Sequence, residues 1–251
     1  MTSTEKTVTN QVTISVAGIA TRAVSEQGDL RFCVPEPERR FLVADGVPHI
    51  TLRCRLAEPP AAPSGECVFE TPDVWSLVRH GTRLWLDQYR GRLGFRVART
   101  LDLSADLSEG LMTVAPREAD ACHQTLPDGT AINPFVYPSF PLLIYWHLAA
   151  RGGFGLHASG AILDGRAFAF AGVSGAGKST LSEILAAEGA TILNDDRLGV
   201  VPDQEGYRLY GNPWHGTAAY ASPQSGPLRA VFFIEHGDQN GAERLAHFPA
   251  V

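Results

Sequence analysis

Lysine is almost missing from this chain. Of 21 basic side chains in 251 residues only Lys6 and Lys178 are lysine, and the rest are arginine. The formal net charge of −6 leaves no broad basic surface, which argues against nucleic acid or an anionic membrane as the main partner. Arg39, Arg40 and the arginines between positions 79 and 99 read as solvated strand faces. Cys33, Cys54, Cys67 and Cys122 show no C-x-x-C spacing and no Cys/His pairing, which argues against a zinc site. Four cysteines suffice for two disulfides, but the N-terminus carries neither a basic n-region nor an apolar h-region, so buried free thiols in a cytoplasmic protein are expected. The longest strongly apolar stretch, residues 142–150, is interrupted by His147 and is too short to span a bilayer. No internal repeat or long low-complexity segment occurs. At 44% hydrophobic, the chain has enough apolar residues for a substantial core, as one large domain or two small ones.

Residues 1–135 read as a β-rich region. Alternating or β-branched runs at 8–16, 30–34, 41–43, 49–54, 67–70, 82–86, 94–101 and 110–114 are separated by Gly, Pro and Asp turns, the pattern of a meander or partial barrel. The proline-rich stretch 58–65 is a loop. A helix is expected from Pro138 or Ser139 to Arg151, with Leu142, Leu143, Trp146 and Ala150 on one face and Gly152-Gly153 as its stop. From there to 251 the pattern changes. Apolar runs at 154–163 and 166–171 flank Asp164-Gly165, a two-residue hairpin signal. Leu181, Ile184 and Leu185 then recur at helical spacing up to Gly189. Strands follow at 190–193, 198–201, 207–210 and 228–235.

The sparing use of lysine gives Lys178 its weight. It stands in Gly172-Val173-Ser174-Gly175-Ala176-Gly177-Lys178-Ser179-Thr180, which fits G-x-x-x-x-G-K-[ST], the phosphate-binding P-loop. A compact ammonium reaches β- and γ-phosphates in a tight loop where a planar guanidinium would collide. Backbone N–H groups from Gly172 to Thr180 and the following helix N-terminus would receive phosphate oxygens, with the Ser179 hydroxyl as the natural Mg²⁺ ligand. Asp195 and Asp196 lie 17 and 18 residues after Lys178, at the end of the next expected strand. If that strand and 166–171 are parallel neighbours, both aspartates face the phosphates, one to support metal and one to act as base. Using both requires a bend after the strand. Continuing the hairpin register sets His157 opposite Gly172, where an imidazole can touch phosphate or orient an acid, or stand as an ordinary core histidine. Trp214 and His215 contact nucleotide or substrate, or Trp214 anchors a turn.

The ordered set of 156–160 (Leu-His-Ala-Ser-Gly), the P-loop and 192–196 (Ile-Leu-Asn-Asp-Asp) resembles the C-terminal catalytic domain of HPr kinase/phosphorylase and its relatives, which include peptide-biosynthesis serine kinases. The resemblance covers residues 154–235, about a third of the chain. It implies an α/β fold with a mixed α+β sheet, a P-loop kinase domain related to ATP-dependent phosphoenolpyruvate carboxykinase over 136–251, preceded by the β-rich region. It also implies that Lys178 binds β/γ-phosphate, Ser179 holds Mg²⁺, Asp195 is the base, Asp196 assists metal or geometry and His157 contacts phosphate. Relatives usually continue into C-terminal helices, so against the resemblance the end at Val251 is expected to mark a shortened protein or a fragment with impaired activity. The acidic-Arg-Gly signature of the bifunctional enzymes is replaced by 211–216, so neither phosphorylase activity nor HPr as substrate is implied.

The expectation from sequence is therefore an ATP- and Mg²⁺-dependent kinase acting on a hydroxyl, serine above all, of a peptide or protein acceptor. Neither nucleic acid nor membrane is an expected partner, and homo-oligomer formation stays open. The alternatives are a non-catalytic nucleotide-responsive module in a peptide-maturation system and a small-molecule kinase.

Overall fold

The computed structural model describes residues 8–44, 46–90, 96–116, 118, 125–126, 129–204, 206–239 and 241–245; Lys6 and Cys122 lie outside them, as does the start of the strand expected at 94–101. Strand makes up 47% of the structure and helix 13%. Among the described residues there are two α-helices. This overturns the expected α/β P-loop kinase fold. The nine-residue motif specifies a strand, a loop and the start of a helix, but it does not specify the sheet around them. Here that sheet is mostly antiparallel and belongs to a largely β protein. No helix among the described residues is long and apolar enough to cross a membrane.

The N-terminal part contains β1 (Val8–Thr9), β2 (Gln11–Val16), β3 (Ile19–Ser25) and β4 (Leu30–Cys33), then a 3-10 turn at Glu38–Phe41. It continues through β5 (Ile50–Leu56), β6 (Glu66–Thr71), β7 (Trp75–His80), β8 (Arg83–Arg90), β9 (Arg96–Ser104), β10 (Glu109–Val114), β11 (Thr125–Leu126) and β12 (Gly129–Ile132). An eight-stranded sheet has the order β2-β3-β5-β10-β9-β8-β7-β6, and a four-stranded sheet the order β1-β4-β12-β11. From β6 to β10 each strand pairs antiparallel with the next present in the sheet, as a meander does, but β5 runs parallel to both β3 and β10. The strand expected at 41–43 is replaced by the 3-10 turn, which buries Phe41. Among the described residues the structure adds β3, β7, β11 and β12, four strands absent from the sequence-based reading. In β3, Ile19, Thr21 and Ala23 are buried in period two, with a threonine standing where a hydrophobic residue would have signalled the strand. Cys33 and Cys54 are buried free thiols, burial pushing Cys54 up to about 12, whereas Cys67 is free and exposed.

Helix α1 (Ser139–Ala150) agrees with the expected span, but the buried face is different. Phe140, Leu143, Ile144, His147 and Leu148 point inward, Leu142 and Trp146 are half-buried, and Ala150 is exposed. The His147 imidazole is satisfied by the Leu107 carbonyl at 2.8 Å. The core of the N-terminal sheets continues through this helix to Trp214, whose ring meets Phe140 edge-on at 5.5 Å and whose Nε1–H donates to the Phe135 carbonyl at 3.3 Å. Trp214 is thus the apolar anchor of its turn.

The remaining strands are β13 (Phe154–Leu156), β14 (Ser159–Leu163), β15 (Arg166–Ala171), β16 (Thr191–Asn194), β17 (Leu198–Asp203), β18 (Gly206–Tyr210) and β19 (Ser225–Phe233), with α2 (Lys178–Ala187) after β15. Their order is β13-β17-β18-β19-β15-β14-β16. The segment β13–β14 runs beside the segment β16–β17 throughout, bridged by the Ala158 N–H to Asp196 O bond of 3.1 Å. Strands β18, β19 and β15 join the two segments round the other side, so the sheet curls into a half-barrel. Its inside is filled by Ala158, Ala167, Ala169 and Ala171 against Leu193, Leu198, Val200 and Leu209.

The β14–β15 hairpin forms as its turn residues dictate. Leu163 pairs with Arg166, and both Asp164 (φ 49°) and Gly165 (φ 73°) are left-handed, as a type I′ turn requires. Gly165→Ala is expected to cost about 1 kcal/mol through the left-handed backbone alone, since a Cβ there meets nothing within 4 Å. A lower urea midpoint at unchanged slope checks this.

Candidate functional site

Strand β16 is not the neighbour of β15. Antiparallel β14 lies between them, so β15 and β16 run in the same direction one strand apart. Their C-terminal ends still open on one edge. Ser159 pairs with Phe170 and Gly160 with Asn194, so the His157-Ala158 break in the β13–β14 segment flanks both the loop after β15 and the turn after β16.

The loop has the shape its glycines allow. Gly175 (φ 85°) and Gly177 (φ 97°) are left-handed, and a Cβ on either meets nothing within 4 Å, so the concave side is open. Gly172 is needed for a close approach instead: a Cβ there would stand 3.0 Å from the Ala176 Cβ and 3.1 Å from the Ile234 carbonyl. Ala176 is buried beneath the loop while Val173, Ser174 and Gly175 are exposed. Helix α2 starts at Lys178 with Gly177 as N-cap and no side-chain cap, leaving its first N–H groups without helical partners. The Lys178 ammonium donates to the Gly172 carbonyl at 2.7 Å and the Val173 carbonyl at 3.2 Å, so it closes the loop on itself. The Ser179 hydroxyl has no partner among the described residues, and Thr180 is exposed. His236, from the polar tail after β19, reaches the Gly175 carbonyl through Nε2 at 3.1 Å.

Asn194 makes the bend that use of both aspartates requires. Fully buried at the end of β16, it accepts from the backbone N–H of Asp196 and of Arg197, each at 2.8 Å, and its amide donates to the Asn212 carbonyl at 2.9 Å. Asn212 returns a bond to the Arg197 carbonyl at 2.7 Å. The two asparagines lock the turn after β16 to the 212–218 segment.

The two aspartates then separate. Asp195 is 4% exposed, and its carboxylate accepts from the Gly216 N–H at 2.9 Å and the Ala218 N–H at 2.8 Å. A Cβ on Gly216 would stand 2.8 Å from Asp195 Oδ2, so the segment lies directly over the carboxylate. Asp196 is the accessible member. It faces His157 Nδ1 at 3.2 Å and Arg197 Nη1 at 3.1 Å, with the His157 side chain mostly exposed. Arg197 also lies 5.0 Å over the Tyr137 ring. Tyr145 belongs to the same surroundings. Burial pushes its hydroxyl up to about 12, with Arg197 opposing. His215 Nδ1 bonds the Gly216 carbonyl at 2.7 Å. Burial raises the nearby Glu38 carboxyl, and His215 opposes that rise.

The structure thus brings His157, Asp196 and the 172–180 loop to one edge and withdraws Asp195 into a backbone clamp. Sequence reasoning did not single out Asn194, Asn212, Arg197, Tyr137 or His236. An asparagine directly before two aspartates at a strand end was a legible turn signal; the tertiary partners were not. No protein-family model matches this chain, and no curated protein matches it.

Proposed function

We propose that the protein binds Mg²⁺-ATP at the 172–180 loop and transfers the γ-phosphoryl to a hydroxyl of a peptide or protein, serine being the expected acceptor. The observation that supports this most is the open loop at the end of β15, with Lys178 folded over it and the unpartnered N-terminus of α2 beneath. The lysine rests on two carbonyls; phosphate oxygens are stronger acceptors and would take it over.

The residues present fit a metal, because the Ser179 hydroxyl is unengaged and the Asp196 carboxylate is partly exposed on the same edge. These two would hold Mg²⁺, which when bound neutralises charge developing on the phosphates. Asp195 does not serve, because it is buried beneath the 212–218 segment with its oxygens bonded to backbone N–H groups. The base is therefore assigned to the His157–Asp196 pair. Asp196 holds the imidazole through Nδ1, leaving Nε2 to accept the hydroxyl proton as the acceptor oxygen bonds to phosphorus and the bridging oxygen leaves with ADP. A cytoplasmic location goes with this reading, since ATP is the donor.

The occlusion of Asp195 favours a second reading, a non-catalytic nucleotide-responsive module. The two part in one experiment. Lys178→Ala is expected to weaken Mg²⁺-ATP binding about 10- to 100-fold, the loss of charge-assisted bonds to phosphate; equal affinities by calorimetry would remove both readings. Label transferred from γ-labelled ATP into peptides or proteins of a cell extract supports the kinase. Tight binding with no transfer leaves the module.

A further inference from the structure

We infer that the cleft at the opposite end of β15 from the loop is a second binding site, for a small ligand bearing a phosphate or carboxylate group held between Arg166 and Arg229. The cleft has a volume of about 660 Å³, within the range of small-molecule sites. Its origin lies in the path of β19. Up to Pro227 this strand pairs with β18, and from Leu228 it pairs with β15, so the sheet parts between the β17–β18 tip and the start of β15. Pro227 sits at the parting point, lacking the N–H that would continue a ladder.

Arg229 is aimed by a bulge. Ala167 pairs with Leu228 but Phe168 pairs with Ala230, which leaves Arg229 as the extra residue with no partner across the ladder. Bulges of this kind redirect a side chain, and here the bulged residue lines the cleft beside Arg166, the first residue of β15. Neither guanidinium has an ion-pair partner among the described residues. The carboxylate lining the cleft among those residues, Asp203, is already committed: it accepts from the Gln204 N–H at 2.8 Å and from Arg208 Nε at 2.9 Å, bonds that hold its pKa below the usual range. Two guanidinium forks with no ion-pair partner among the described residues therefore share one concavity, an arrangement that suits bidentate capture of an oxyanion. The Tyr207 ring, braced edge-on by Phe154 at 6.5 Å, and Leu228 supply an apolar wall for the body of the ligand.

The test uses the full chain carrying Lys178→Ala, so that the loop does not compete, titrated at low salt with inorganic pyrophosphate and with citrate by calorimetry. Saturable binding of one or the other is expected, weakened about tenfold or more by Arg166→Ala and by Arg229→Ala. Asp203→Asn frees Arg208 and should tighten it, a change of sign that damage to the fold would not produce. Tighter pyrophosphate identifies a phosphate ligand; tighter citrate identifies a carboxylate. Failure of both anions to bind, or equal affinity with and without the two arginines, overturns the site and leaves the loop proposal untouched.

Discussion

Asp196→Asn should lower phosphoryl transfer by about 10²- to 10⁴-fold, the usual contribution of positioned acid–base catalysis. The carboxylate stands 3.2 Å from His157 Nδ1, and the amide that replaces it presents a donor as readily as an acceptor, so it no longer fixes the ring with Nε2 free to accept. His157→Gln should give a loss of similar size. The double substitution should fall little further than either alone, because residues that act as a unit are not additive. Losses that multiply would mean that the two act separately. A raised Mg²⁺ requirement in Asp196→Asn but not in His157→Gln would mark the share of Asp196 in holding metal.

The neighbouring aspartate should behave in the opposite way. Asp195→Ala removes the acceptor for two backbone N–H groups, those of Gly216 and Ala218, beside a carboxylate that is 4% exposed. At about 1–3 kcal/mol for each orphaned donor, and with water reaching part of the segment after truncation, a loss of about 3 kcal/mol is expected. Chemical denaturation measures it directly. Asp195→Asn should restore only part, since one of its two acceptor positions becomes a donor facing an N–H. An Asp195→Asn chain of unchanged stability that has lost transfer would return the base to Asp195 and end the division of roles drawn from the turn.

That division could not be read from the sequence. Two adjacent carboxylates at a strand end are chemically equal as letters, and only the Asn194 turn and the 212–218 segment folded over it decide which one faces solvent. The local elements were more legible. Asp164-Gly165 named its hairpin and register, and the Gly152 and Gly189 stops bounded α1 and α2 because each supplies a left-handed backbone at a helix end. Which face of α1 would be buried was less so: the helix is apolar nearly all round, and the sheet packed against it chose Phe140, Ile144 and Leu148. The fold class failed for a related reason. A phosphate-loop motif describes nine residues, while the placing of β14 between β15 and β16 depends on pairings between residues far apart in the chain.

The half-barrel itself has a mechanical consequence. Strand β15 alternates Ala167, Ala169 and Ala171 inward with Phe168 and Phe170, which pack against Phe232 of β19 on the other face. A slip of one residue would drive phenyl rings into space sized for methyl groups, so the strand cannot slide. With the loop beginning at one end and Arg166 at the other, its six residues act as a spacer of about 20 Å, a length set by the backbone rise and held in register by side-chain volume.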